Sequence, residues 1–267
     1  MRVLKRETIA VHAILVLVAL FAVYPLASII VRSLGSSAAG GLSWGNYAKA
    51  WVQGNFGSAL ISSAFVALVV VAASAVIATL AGFALASMRI PGARIIMGVF
   101  LIGLVLPYEV TLLPLYELLK GWGLTDSYLA LILPQIGLSV PLGVFWMRSF
   151  FASVPVELFE AARMDGASRR DTLRLVLLPI AGPALATLCT LLFLFTWNEF
   201  LLALVLVPTN TAVQTAPLAL SFFSGSQHLT DENVIAAAAV LVATPIVIAY
   251  VFLQRRLISG IVDGAIK

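Results

Sequence analysis

Six stretches, at residues 9–31, 59–87, 95–115, 128–150, 180–207 and 235–253, are nearly unbroken runs of apolar residues. Each is long enough to cross a hydrocarbon core of roughly 30 Å, which takes about 20 residues of helix. Lipid offers no partner to a backbone N–H or C=O, so a spanning segment closes its hydrogen bonds within itself as an α-helix. The expected fold is therefore an all-α integral membrane protein of six transmembrane helices. Composition agrees: 61% of the 267 residues are hydrophobic and 10% are charged, against roughly 45–50% and about 25% in soluble domains.

An even number of crossings puts both termini on one side, and the basic residues say which. Lys and Arg resist translocation and collect on cytoplasmic segments. With the N-terminus inside, 13 of the 16 basic residues fall on inner segments, and only Arg32, Lys49 and Lys120 fall outside. The net charge of +4 is spread over helix ends and forms no stripe of the kind that tracks nucleic-acid phosphates. Arg2, Lys5 and Arg6 before the first run resemble a signal peptide, but the run exceeds the 7–15 residues of a cleavable one; it is expected to be a retained span. The single Cys189 lies within an apolar run and reads as a small packed hydrophobe. His12 and His228 form no metal cluster.

Two expected external segments, 32–58 and 208–234, carry Trp44, Tyr47, Trp51, Phe222, Phe223, His228, Asp231 and Glu232. Their aromatic residues are interfacial anchors or recognition groups, and the former use is commoner. Prolines 25, 107, 114, 134, 141 and 245 fall within spans, where each frees a carbonyl that neighbours or water must satisfy.

The longest inner loop, 151–179, concentrates eight charged residues between Glu157 and Arg174. It reads as two short helices about a turn. Pro155 suits a first helical turn; Glu157, Glu160 and Arg163 share a face; Asp165-Gly166 supplies a break where glycine takes positive φ. Ser168-Arg169-Arg170-Asp171 has capping-box spacing with Asp in place of Glu, and Leu173, Val176 and Leu177 give an apolar side before Pro179 opens the fifth span. On pattern alone this is either a solvated connector or a rigid docking knob.

Glu160-Ala161-Ala162, Gly166 four positions after Ala162, and Val176-Leu177-Leu178-Pro179 together resemble the EAA loop of bacterial ABC importer permeases, Val176 standing where Ile is usual. Further segments extend the likeness: Leu106-Pro107-Tyr108-Glu109, Pro114-Leu115-Tyr116, Gly123-Leu124-Thr125-Asp126-Ser127, Trp197-Asn198-Glu199-Phe200, and a tail with Gln254-Arg255-Arg256, Gly260, Gly264, Ala265 and Lys267. These are similar to the maltose-type, second-permease branch of carbohydrate importers. The resemblance implies a type I ABC importer permease fold in the bacterial inner membrane. It also implies a second homologous permease, two ATPase subunits that bind ATP and Mg, and an extracytoplasmic solute-binding protein. By position, Glu160, Ala161, Ala162, Asp165 and Gly166 would form the ATPase-coupling element. The implied organisation is a first span with its external loop over 1–56, a five-helix core over 57–254, and a cytoplasmic tail over 255–267.

The chain has no G-x-x-x-x-G-K-[ST], so ATP is expected to be hydrolysed by another subunit and this one to be non-catalytic, with no cofactor of its own. Glu109 and Glu199 fall within spans, where a charge at mid-helix costs roughly 2.5–3.5 kcal/mol, so neither should face lipid. With Trp197 and Asn198 they either line a polar substrate pathway or form an interhelical clasp. The resemblance implies a sugar as the solute, or alternatively a polyol or glycerol phosphate ester. An ion-coupled secondary transporter using the two glutamates is the competing class, although no inverted repeat relates the halves.

Overall fold

The computed structural model describes residues 5–35, 41–225 and 231–265, with side chains over 11–35, 41–225 and 231–252. Arg2, His228 and Lys267 lie outside the described residues, as do the side chains of Gln254, Arg255 and Arg256. Among the described residues twelve α-helices follow in order: α1 (Lys5–Ser33), α2 (Gly45–Gln53), α3 (Phe56–Ser87), α4 (Ala93–Val105), α5 (Leu112–Gly121), α6 (Tyr128–Ala152), α7 (Val156–Met164), α8 (Arg169–Asp171), α9 (Leu178–Asn198), α10 (Leu201–Leu206), α11 (Ala216–Gly225) and α12 (Glu232–Ala265).

Among the described residues, five continuous helical stretches are long and apolar enough to span, and a sixth is split: Ala93–Val105 and Tyr108–Gly121 meet at 92°. The span expected over 95–115 is a broken one. Pro107 is the cause, since it lacks an N–H and disfavours helical geometry in the residue before it; Leu106 is extended at φ −66°, ψ 126°. A 3₁₀ turn, Tyr108–Thr111, leads into α5. The fifth span is also interrupted. α9 ends at Asn198, Glu199 is extended, and α10 resumes at Leu201.

Contacts divide the chain into two units, 1–57 with 219–245, and 58–218 with 246–267. Within the second unit, helix directions follow from paired residues. The Ser62 and Tyr128 hydroxyls share a 2.9 Å hydrogen bond, the Phe65 and Tyr128 rings lie 5.0 Å apart, Ala78 meets Gly143, and Gly82 meets Met147. Numbers rise together on both partners, so α3 and α6 run side by side in the same sense. Trp146 Nε1 donates to the Ala184 carbonyl at 3.0 Å while Gly143 lies beside Leu188, so α9 runs against α6. A chain that leaves α3 and re-enters as α6 in the same direction must cross back between them. The split pair makes that return: Met97 and Phe100 pack against the cluster that holds Val144, Met147 and Phe151 of α6, and Gly103 lies beside Pro141, nearer the start of α6, so α4 runs antiparallel to α6. The turn after α3, with Arg89 and Arg94, therefore lies at the same end of this unit as the charged loop after α6.

Two apolar clusters hold this unit. One joins Val66, Val70, Leu131, Leu202, Leu206 and Leu218; the other joins Phe83, Met147, Phe151, Leu173, Leu177 and Leu188. At roughly 25 cal/mol per Å² of apolar surface removed from water, such side chains contribute about 1.5–3 kcal/mol each in a soluble core. Between helices already in lipid that drive is absent and close packing takes its place, which gives Gly82 and Gly143 their importance.

In the first unit, α1 ends in a small polar knot. Asn46 Nδ2 donates to the carbonyls of Ser33 and Gly35 at 2.9 and 2.8 Å, and the Ser33 and Tyr47 hydroxyls share a 2.7 Å bond. Phe56 and Phe223, both buried, meet edge to face at 5.6 Å. Phe223 is therefore a packing residue rather than an interfacial anchor. Arg32 and Glu232 pair at 3.7 Å with both side chains exposed, a contact of small energetic weight.

Candidate functional site

The charged loop is an elbow with a stopper on each side. α7 lays Phe159 against the Phe151–Leu173–Leu177 cluster, buries Ala162 and turns Glu157, Glu160, Ala161 and Arg163 outward, with Met164 88% exposed at its end. Gly166 then takes φ +76°. Its N–H donates to the Arg163 carbonyl at 3.0 Å and that of Ala167 to the Ala162 carbonyl at 2.9 Å, the two bonds that close a Schellman C-cap. A Cβ at Gly166 would meet nothing within 4 Å, so glycine is required by the backbone angle and not by space. Ser168 begins the next helix at once: its hydroxyl accepts from the Asp171 N–H, and the Asp171 carboxylate accepts from the Ser168 N–H, both at 3.2 Å. Asp thus completes the capping box in place of Glu.

The second helix of the elbow is not a separate piece, as its sequence suggested. α8 passes through a π-helical stretch, Thr172–Leu177, directly into α9, giving one span from Arg169 to Asn198. Pro179 falls inside this helix rather than opening it. Pro155 is the residue before α7 rather than part of its first turn.

The two breaks in the spans meet. Tyr108, just past the Pro107 break, lies close enough to Glu199 and Glu109 for both carboxylates to act electrostatically on its hydroxyl. Glu199 Oε1 also accepts the Leu202 N–H at 2.8 Å, satisfying a donor that the start of α10 leaves open. Asn198 Nδ2 donates to the Leu194 carbonyl at 2.8 Å and the residue stays exposed, as does Glu109. Trp197 is 4% exposed, its ring tilted on Phe193 at 5.5 Å, so in this conformation it supports the break from within. Of the four pathway residues expected, Glu109 and Glu199 are brought to one place, Asn198 flanks it and Trp197 backs it. Tyr108 is the member that sequence reasoning missed, although the proline beside it marked the break.

A second missed element is Asp126, held at φ +57°. Its carboxylate accepts the Thr209 and Asn210 N–H groups at 2.9 and 3.0 Å and the Thr209 hydroxyl at 2.9 Å, while its own N–H reaches the Leu206 carbonyl at 2.9 Å. Slight burial pushes the carboxyl up, but the three donated bonds outweigh it and hold it below the usual carboxylate range. This clamp ties the α5–α6 turn to the segment after α10. Among the described residues no group of His, Cys, Asp and Glu gathers as a metal site would require.

Residues 78–262, which contain the elbow, both breaks and the clamp, match the family model described as the binding-protein-dependent transport system inner membrane component. The chain belongs to this family. Permeases of the family with similar sequences include the trehalose transport system permease SugB of Mycobacterium tuberculosis, 35% identical over 85% of this chain and 82% of that one. Another is the arabinooligosaccharides permease AraQ of Halalkalibacterium halodurans, 33% identical over 77% and 72%. The diacetylchitobiose permease NgcG of Streptomyces coelicolor is 29% identical over 96% and 88%. Among solved structures, a chain of a bacterial ABC transporter involved in import of the acidic polysaccharide alginate superposes with TM-score 0.76 at 24% identity, covering 94% of this chain and 96% of that one. The fold of an ABC importer permease is thus shared, and the inner-membrane placement goes with the family.

Proposed function

We propose that this chain is the transmembrane permease subunit of an ATP-driven, binding-protein-dependent importer for a sugar or sugar-like solute, and that it forms half of the translocation pathway. The observation that carries the reading is the connection between two sites. An exposed, doubly capped elbow continues without a break into the span that ends at the Tyr108–Glu199 junction. Residues Glu160, Ala161, Ala162, Asp165 and Gly166 form the surface that docks on an ATPase subunit. Glu109, Asn198 and Glu199, backed by Trp197, line the pathway at the point where two spans are interrupted, as binding sites in transporters commonly are.

ATP and Mg bind the partner ATPases, which hydrolyse the nucleotide; this chain supplies mechanical transmission. The remaining partners are a homologous second permease and an extracytoplasmic solute-binding protein. Both termini are cytoplasmic: the parallel course of α3 and α6 supports this by bringing Arg89, Arg94 and the basic elbow to one end. We divide the chain into 1–56, a core over 57–254, and a tail over 255–267. The carbohydrate class is supported by the relatives' substrates, with a polyol or glycerol phosphate ester as the alternative.

Affinity purification of the complex tests the proposal. Recovery of an ATPase, a second permease and a binding protein, whose bound solute mass spectrometry identifies as a sugar, is the expected result. Solute uptake by vesicles holding this chain alone, driven by an ion gradient, would overturn it in favour of a secondary transporter.

A further inference from the structure

Helix α2 presents three different sides. At about 100° per residue, Asn46 and Ala50 share one side and are buried, at 5% and 0% exposure. Lys49 and Gln53 lie on a second, polar side. Trp44, at the N-cap, falls with Ala48, Trp51 and Val52 on a third. This third side is apolar yet uncovered: Trp44 is 73% exposed, Trp51 47% and Val52 78%. Trp51 leans over Gly57, where a Cβ would come within 3.0 Å of the indole, so glycine there leaves room for the ring to lie flat against the chain.

Helix α2 also has a fixed depth. The apolar run of α1, residues 9–31, is 23 residues long and is closed by Arg32; at 1.5 Å per residue it makes about 35 Å of helix, slightly more than the hydrocarbon thickness. Its residues from Val11 to Ala27 are all exposed and almost all apolar, as a lipid-facing surface must be. Ser33 therefore lies at the membrane boundary, and Asn46 and Tyr47 bind α2 to the carbonyls and hydroxyl at that end of α1. The uncovered stripe belongs to a helix tied by these bonds to the end of α1, and is thereby held at headgroup level, where tryptophan is enriched.

We propose that α2 is an interfacial helix. It seats Trp44, Ala48, Trp51 and Val52 among the lipid headgroups and upper acyl chains beside the end of α1, with Lys49 toward anionic headgroups. The Asn46 side chain is a staple that sets its depth. Tyr47 is thus a structural tie, and the lipid contact belongs to the two tryptophans and Val52.

The test uses the whole transporter complex in phosphatidylcholine–phosphatidylglycerol vesicles, in a Cys189→Ser background, with an NBD fluorophore placed on Val52→Cys, Trp44→Cys or Lys49→Cys in turn. Probes at 52 and 44 are expected to lose about half their fluorescence when brominated lipids replace ordinary ones, while the probe at 49 responds mainly to aqueous iodide. Adding Asn46→Ala is expected to reduce the bromolipid response at 52 and raise its iodide response. Iodide quenching at 52 and 44 equal to that at 49 would overturn the proposal by placing the stripe in water. Shielding of both positions from iodide and bromolipid alike would also overturn it, by showing that a protein covers them.

Discussion

Gly143 on α6 and Ala78 on α3 are in such close contact that a Cβ added to the glycine would stand 2.7 Å from the alanine Cβ. One turn along, a Cβ at Gly82 would stand 2.8 Å from the Met147 Cβ. Close approach at small residues is the main attraction left between helices in lipid, so Gly143→Ala is expected to destabilise the chain by about 1–3 kcal/mol through overpacking. Removing the opposing methyl in Gly143→Ala/Ala78→Gly should recover most of the loss. Thermal midpoints of the purified complex check both, and a double variant no better than the single one would show that the contact does not set the approach.

The Gly166 angle leads to a graded series. Left-handed geometry costs an ordinary residue roughly 1–2 kcal/mol, so Gly166→Ala should insert normally with weakened coupling. Proline cannot reach φ +76° at all, and Gly166→Pro should abolish transport-coupled ATPase activity in assembled complexes. Solute-stimulated phosphate release from reconstituted transporter measures the effect, with assembly checked by gel filtration.

At the meeting of the two breaks, Glu199→Gln keeps an acceptor for the Leu202 N–H, whereas Glu199→Ala loses it. Tyr108→Phe removes the hydroxyl on which the Glu199 and Glu109 carboxylates act. If the junction lines the pathway, each of Glu199→Gln and Tyr108→Phe should lower uptake about tenfold, and the double variant should be little worse than either, as partners in one interaction are. A fall in thermal stability with uptake per assembled complex unchanged would identify the junction as a clasp alone.

Asp126 gives a pH dependence of definite sign. Its carboxyl is held below the usual range in the fold, so its stabilising contribution is present above the unfolded value of about 3.9 and is lost as pH falls through the lower folded value. Asp126→Asn should therefore lower the thermal midpoint at neutral pH, and its deficit should shrink as the solution is acidified below that range. A deficit that stays constant with pH would mean that the charge itself is not what the Thr209 and Asn210 donors hold.

What could be read from the chain depended on the distance over which residues interact. The spans follow from long apolar runs. The elbow's two caps follow from short-range chemistry, with Gly166 as the left-handed stop and Ser168 reaching Asp171 three residues on. Pro107 was visible inside the third span among five other prolines within spans, but only the fold showed that the span breaks there, at 92°. The break at Glu199 has no proline to mark it; Asn198 folds back onto Leu194 while Glu199 turns to Leu202. Pairings across the chain were out of reach of local pattern: Tyr108 finds Glu199, and Asp126 finds Thr209, only because α5, α6, α9 and α10 share one unit. The continuity of the elbow with α9 was also hidden, since Pro179 reads as a helix start and is instead accommodated within one.

The unbroken helix from Arg169 to Asn198 is 30 residues long, about 45 Å from end to end at 1.5 Å per residue. In the coupling proposed above, such a rod is a lever. A tilt of about 10° about its middle carries its two ends roughly 4 Å in opposite directions over that length. One end leaves the capped elbow and the other delivers Glu199 to Tyr108, so displacement at one is geometrically a displacement at the other. Neither a chemical messenger nor a relay of side chains is needed between them.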